Sequence, residues 1–435
     1  MNTPLYNKLS RALPEHRFHT PGHKGNLGGI FSSVAKYDLT EISLTDNLFF
    51  PENEILGAEA LASALFGSKT TVFSAAGATL CIQTALSLFA GKTVLFERNI
   101  HISAVNASIL CGINPIFCTN DISEFGYPFP MTAEKIEKAL LKTPASAVFL
   151  TSPNYYGLCA DIPKIKRVCE RFGAALIVDN SHGTHMKFTH DGIDAHCADI
   201  VIDSAHKTLP CLTGGAYLHF MSDFGPSYAE IKSKMLLFGS TSPSFLILAS
   251  LDYARGWCEE NKGEFLKTAK KVADLKANLE ACGIHIADAE IYDPLRLCVT
   301  CGNAESVNSE LENSGIYAEM CDGNSLVFLF SPFNSDTDFA VLEKALINLC
   351  EKTYNKGTFV SFEPELCTDL KTAFFGKKAE LPIEQTVGKT CAKAVIPYPP
   401  GVPVLLPGEK IKRETVEYLR ARYGYNSLWV LSDET

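Results

Sequence analysis

Two short runs of this chain end in side chains able to act together. Ala174-Ala175-Leu176-Ile177-Val178-Asp179 leads into Asn180-Ser181-His182-Gly183-Thr184-His185, and Asp199-Ile200-Val201-Ile202-Asp203 leads into Ser204-Ala205-His206-Lys207. Branched apolar runs of this length read as buried parallel strands, and α/β folds place their chemistry at the carboxyl ends of such strands. An Asp at one strand end and a Lys just past the next are what pyridoxal 5′-phosphate needs. The amine forms a Schiff base with the aldehyde, and the carboxylate keeps the pyridine nitrogen protonated. That cofactor would make the protein an enzyme acting on an amino acid.

Each candidate has a plainer alternative. Lys207 is costly to bury without a partner, unless it is a solvated loop lysine. Asp179 could be a structural cap instead of a cofactor ligand. Gly77-Ala78-Thr79 precedes a helical run, so its amides and the Thr79 hydroxyl could hold a phosphate, although glycine turns before helices are common. Ser204 and His206 flank the same place and could add donors, with Ser204 alternatively a cap. His101 follows the strand-like Thr93–Phe96 and could stack on a ring or serve as a structural hydrogen bonder. His182 and His185 lie one helical turn apart, but no Glu stands between them in a zincin pattern, so no metal is expected. His19 and His23 lie in a polar, turn-rich element that is kept as a second candidate. Cys298-Val299-Thr300-Cys301 has no second pair and reads as buried thiols.

The surrounding pattern alternates helix and strand. Residues 1–50 read as an arm with a short helix near Leu5–Leu13. Helices are expected at Ile55–Phe66, Leu80–Phe89, Ser103–Cys111, Thr132–Leu141, Ile162–Phe172 and Ser244–Trp257. Strands are expected at Thr70–Ser74, Thr93–Phe96, Pro115–Cys118 and Ala147–Thr151, with Ala75–Thr79 as a small-residue loop. This predicts an α/β fold with a mostly parallel sheet over 51–257. From 258 to 435 the pattern is that of a smaller α+β domain, with a helix at Phe265–Cys282, strands at Leu295–Thr300 and Ser325–Ser331, and a helix at Asp336–Cys350. Pro397-Tyr398-Pro399-Pro400-Gly401 must be a turn, because proline suits neither a helix interior nor a central strand. Glu409–Tyr423 is expected to close the chain as a helix.

Bulk properties agree. A length of 435 residues implies roughly two to four domains. The chain is 46% hydrophobic and 20% charged, as in ordinary globular proteins. Net charge −10 argues against nucleic-acid binding. No signal peptide or membrane span is expected, and fifteen scattered cysteines suit reduced thiols in the cytoplasm.

Taken in order, these segments resemble the bacterial ornithine/lysine/arginine decarboxylases of the aspartate-aminotransferase fold (fold type I). The matching segments are Thr20-Pro21-Gly22-His23-Lys24-Gly25, Asp38-Leu39-Thr40-Glu41, Glu97-Arg98-Asn99-Ile100-His101 and Thr151-Ser152-Pro153-Asn154-Tyr155-Tyr156-Gly157. They continue with Asp179, Ser181-His182-Gly183, Ser204-Ala205-His206-Lys207-Thr208-Leu209-Pro210, Thr241-Ser242-Pro243-Ser244, Pro397–Gly401 and Pro407-Gly408-Glu409.

The resemblance implies that Lys207 is the Schiff-base lysine, Asp179 the pyridinium partner and His101 the ring-stacking residue. Ala78, Thr79, Ser204 and His206 would surround the phosphate, and His182 would lie beside the cofactor. Thr241 and Ser242 would reach the phosphate of a neighbouring subunit in a homodimer. The implied reaction turns a basic amino acid into an amine, as in polyamine supply, with Lys207 or a histidine returning the proton. Aminotransfer, aldol cleavage and a non-catalytic regulatory role are the alternatives. Glu41, Asp46 and Glu384 are candidates for the substrate's distal cation. The chain departs from the family at Ile102, where Lys is frequent, and at Asn180-Ser181, where an acidic residue and Ala are usual. It is also expected to lack the N-terminal wing domain of the larger enzymes.

Overall fold

The computed structural model of the chain describes residues 1–11, 13–189, 195–222, 225–351, 363–397 and 401–432. Helices α1 (Pro4–Arg11) and α2 (Glu54–Phe66) precede strand β1 (Thr70–Ser74) and helix α3 (Gly77–Ser87). Next come β2 (Thr93–Glu97), α4 (Ile102–Cys111), β3 (Asn114–Cys118), α5 (Ala133–Lys142), β4 (Ala147–Thr151) and α6 (Ile162–Phe172). The two chemistry-bearing runs form β5 (Ala175–Asp179) and β6 (Ile200–Asp203), and the short helix α7 (Ala205–Thr208) carries Lys207. Then follow β7 (Ala216–Phe220), α8 (Tyr228–Leu236), α9 (Phe245–Glu260) and α10 (Lys262–Ala281).

Local chemistry explains where these elements start and stop. The Asp161 side chain caps α6 by accepting from the Lys164 amide, Pro163 sits in its first turn, and Gly173 ends it at φ 66°. Helix α3 departs from expectation by beginning at Gly77, three residues early. Gly77 takes φ 70°, its amide donates to Gly214 O at 2.7 Å, and the Ser74 hydroxyl donates to Gly77 O at 2.9 Å. The expected loop therefore supplies the first turn of the helix.

The chain forms two compact units, Met1–Leu88 with Ala175–Lys270, and Phe89–Ala174 with Lys271–Thr435. In the first unit the strands lie in the order β1-β7-β6-β5. Strands β5 and β6 are parallel, and β7 runs antiparallel to both β1 and β6. Every residue of β5, β6 and β7 is buried, and α3 packs against β1, β6 and β7. Helix α1 is fastened to α9 by the Asp252 carboxylate, which accepts from the Leu5 and Tyr6 amides at 2.9 and 3.2 Å.

In the second unit β4, β2 and β3 are parallel neighbours. The fold class is α/β with mostly parallel strands, as expected, β7 being the reversed member. The remainder of this unit is a smaller α+β portion. Strands β8 (His285–Ile286), β9 (Arg296–Thr300), β10 (Met320–Cys321) and β11 (Ser325–Leu329) form an antiparallel sheet in the order β10-β11-β9-β8. Strands β12 (Lys378–Pro382) and β13 (Ser427–Leu431) make an antiparallel pair. The closing helix spans Arg413–Tyr423 rather than starting at Glu409. The Lys410 and Ile411 amides donate to Glu365 O and Lys389 O, so this stretch is tied to other segments. Of the proline turn, Tyr398-Pro399-Pro400 lie outside the described residues.

Candidate active site

Lys207 and Asp179 stand at the carboxyl ends of neighbouring parallel strands. Strand β5 ends at Asp179 and β6 at Asp203, and one helical turn then brings Lys207 to the same end. The half-buried Lys207 Nζ lies 3.0 Å from Nε2 of buried His182. Asp179 is 2% exposed. The Ser181 amide and hydroxyl both donate to its Oδ1, at 3.1 and 2.5 Å. Among the described residues, its Oδ2 is left to accept one further donor.

The phosphate candidates occupy the same unit. Ala78 and Thr79 lie in the first turn of α3, where backbone amides lack intrahelical acceptors and the helix dipole favours an anion. A Cβ added at Gly77 would meet nothing within 4 Å, so the glycine serves the positive φ. Ser204 Oγ is 3.3 Å from His206 Nδ1, which is also 3.2 Å from Gly215 O. Thr241 and Ser242 form an exposed bend ahead of α9, where the Ser242 amide donates to Ser240 Oγ. His101 belongs to the other unit. It is exposed and caps α4, its Nδ1 accepting from the Ser103 amide at 3.2 Å and lying 2.7 Å from Ser103 Oγ.

A lysine amine, a carboxylate with an open oxygen and a helix N-terminus within one unit fit pyridoxal phosphate. The amine matches its aldehyde, the carboxylate its ring nitrogen and the amides its phosphate.

The remaining candidates are engaged elsewhere. Asp46 accepts from the amides of Asn47, Glu52, Asn53 and Ile55, which makes it the cap leading into α2. Glu384 is paired with Arg420. Glu41 accepts from Asn47 Nδ2 and the Leu48 amide, and burial raises its carboxyl above the usual range. His23 is folded into its own turn, with Nε2 at 3.1 Å from Asp38 and Nδ1 accepting from the Gly25 amide. His19 Nδ1 lies 2.5 Å from Thr20 O. Cys298 and Cys301 are both buried, Cys298 within β9.

Nothing in the residue spacing marked the polar cluster around Asp203. The Asp203 Oδ2 lies 3.0 Å from His196 Nε2 and 3.2 Å from His219 Nε2, while Asn180 Nδ2 donates to Oδ1 at 2.5 Å. Burial alone would raise the Asp203 carboxyl. The two imidazoles outweigh it and hold the acid far below the usual carboxylate range. Burial pushes His219 down, against the opposing pull of Asp203. A second buried connection joins two of the motifs. Arg98 donates to Pro403 O at 2.7 Å, to Val404 O at 2.9 Å and to Glu409 at 3.4 Å.

The chain matches the family model described as Orn/Lys/Arg decarboxylase, major domain, over residues 3–296, and the corresponding C-terminal domain over residues 349–428. It is 33% identical to the Bacillus subtilis (strain 168) uncharacterized protein YaaO, covering 96% of this chain and 94% of that protein. It is 30% identical to an arginine decarboxylase of the same organism, covering 96% and 93%. Among solved structures, the Francisella novicida lysine decarboxylase LdcF shares the fold with a TM-score of 0.84 at 19% identity, over 99% of this chain and 81% of that one.

Proposed function

This chain belongs to the Orn/Lys/Arg decarboxylase family, and from that membership we propose that it decarboxylates a basic L-amino acid with pyridoxal 5′-phosphate, releasing the amine and carbon dioxide. Arginine or lysine is preferred over ornithine; relatives named arginine decarboxylase, at 28–30% identity over 96% of the chain, support this order. The observation that carries the reading is the placement of Asp179 and Lys207 at the carboxyl ends of β5 and β6.

When bound, the cofactor supplies an electron sink for the pair left behind as carbon dioxide departs. The chain's own residues do the rest. Lys207 would hold the cofactor through its amine. His182, at 3.0 Å from Lys207 Nζ, can take a proton from that ammonium and so keep the amine nucleophilic. The same pair stands ready to return a proton to the α-carbon. Asp179 would hold the proton of the ring nitrogen through Oδ2, while the two Ser181 donors on Oδ1 fix the carboxylate in place. Ala78 and Thr79 bind the phosphate through the first turn of α3, with Ser204 and His206 as further donors. The family resemblance assigns ring stacking to His101. Thr241 and Ser242, exposed on their bend, contribute to the site of a partner copy, so the working form is a homodimer in the cytoplasm. The chain divides for this purpose into an arm (1–50), a cofactor-binding domain (51–257) and a small domain (258–435).

The test is a substrate panel. Purified, cofactor-loaded protein is incubated separately with L-arginine, L-lysine and L-ornithine, and products are identified by mass spectrometry. Agmatine or cadaverine as the dominant product is expected. No amine from any of the three, with the cofactor's visible absorbance band present, overturns the proposal.

A further inference from the structure

A line of hydrogen bonds crosses all four strands of the first unit. Ser68 Oγ lies 2.7 Å from Thr71 Oγ1, and Thr71 on β1 lies 2.8 Å from His219 Nδ1 on β7. His219 Nε2 reaches Asp203 on β6, and Asp203 reaches Asn180, the residue after β5. Strand register explains how the line forms. Thr71 is directly opposite His219, His219 is opposite Val201, and Asp203 lies two residues beyond Val201, hence on the same face. His196 joins from the segment before β6.

The donors can all point one way. The Thr71 hydroxyl donates to His219 Nδ1, so Nε2 carries the imidazole proton and donates to Asp203. His196 and Asn180 donate to the same carboxylate. A buried carboxylate with three donors is a satisfied anion, and it makes a fixed anchor.

That anchor holds one residue in particular. Asn180 directly follows Asp179, and side chains alternate across a strand. Tying the Asn180 amide to Asp203 on one face therefore turns the Asp179 carboxylate to the other. Asn180 O also accepts from the Gly183 amide at 2.9 Å, closing the turn that carries His182 to Lys207. Asn180 is thus the pivot between the two groups that handle the cofactor.

We propose that Asn180 and Asp203 are positioning residues of this active site, with the His196–Asp203–His219 cluster as the anchor that aims Asp179 and His182. This rests on the decarboxylase reading above. The departure from the family at Asn180 then has a physical role, because an amide is what an anionic Asp203 requires of its neighbour.

The experiment compares wild-type holoenzyme, Asn180→Ala, and the exchange variant Asn180→Asp with Asp203→Asn. Readouts are kcat and KM on whichever of L-arginine, L-lysine and L-ornithine the wild type turns over, and the pH midpoint of the bound cofactor's visible band. Asn180→Ala is expected to lower kcat on the order of tenfold or more with KM within about threefold. It should move the band's pH midpoint by roughly half a unit or more, because a misaimed Asp179 no longer balances the ring nitrogen. The exchange variant restores an amide–carboxylate bond with the amide oxygen facing both histidines, so it is expected to recover most of the loss. An Asn180→Ala enzyme with wild-type kcat and band overturns the proposal, as does an exchange variant that is folded, holds cofactor and is no better than the single change. Because His196, Asp203 and His219 could also ligate a metal, stoichiometric zinc in the wild-type holoenzyme overturns it too, since the ion would claim both Nε2 lone pairs. If the wild type binds no cofactor or makes no amine, the decarboxylase reading fails instead.

Discussion

At the scale of single residues, Lys207 is the proposed Schiff-base lysine and Asp179 the proposed partner of the ring nitrogen. Lys207→Ala is expected to cut amine formation by roughly 10²–10⁴-fold even with cofactor added, measured as initial rate. Retained wild-type turnover in that variant would remove Lys207 from the mechanism. Lys276, in the second unit, gives a separate prediction about pH. Burial beside the Tyr292 ring, 3.9 Å away, pushes its ammonium down to about 8. The unfolded chain keeps that proton up to about pH 10.4, so between the two values it binds more protons than the fold does. Stability from this group therefore rises with pH through that window, and the full penalty is present below about pH 8. Lys276→Met should raise Tm at pH 7 and flatten the rise in stability between pH 8 and 10; an unchanged slope would contradict this. The placement of Asp179 and Lys207 at one end of neighbouring strands was legible, because Asp179 ends one branched apolar run and Lys207 follows the next by one helical turn. Asn180, His196 and His219 were not. Their roles depend on strand order and register, and His219 meets Asp203 only because β7 lies beside β6 in reverse.

At the scale of elements, α6 was legible to the residue because Asp161, Pro163 and Gly173 punctuate it. Strand β7 and helix α8 were overlooked between Lys207 and Ser244. For α8 a signal was present: the Ser227 side chain accepts from the Glu230 amide and Glu230 returns the bond, a capping box. Strand β7 offers no alternation to read, because all five of its residues are buried. Helix α8 also takes part in a buried ionic joint. Lys232 Nζ meets Glu59 Oε1 of α2 at 2.6 Å, Tyr228 donates to Oε2 at 2.5 Å, and the Phe73 amide of β1 donates to Oε1. Removing one partner strands a buried charge. Glu59→Ala should cost ~3–5 kcal/mol in denaturant unfolding, whereas Glu59→Leu with Lys232→Met should fall well short of that loss. Equal losses would show that the joint acts by shape alone.

At the scale of the whole molecule, both the α/β alternation and the α+β remainder were visible in the order of apolar runs. Among the described residues no helix is long and apolar enough to cross a membrane. The arm exposes Phe18 at 96%, Ile30 at 86% and Phe50 at 69%. Light scattering of the cofactor-loaded protein is expected to give the mass of two 47.5 kDa chains. A single-chain mass with full activity would count against a site completed by Thr241 and Ser242 of a partner copy. The proposed reaction replaces the α-carboxylate with a proton. The most direct measurement runs the reaction on L-arginine and L-lysine in deuterated water and weighs the product. An amine carrying one non-exchangeable deuterium at the former α-carbon is predicted; a keto acid, with the carboxylate retained, would contradict the account.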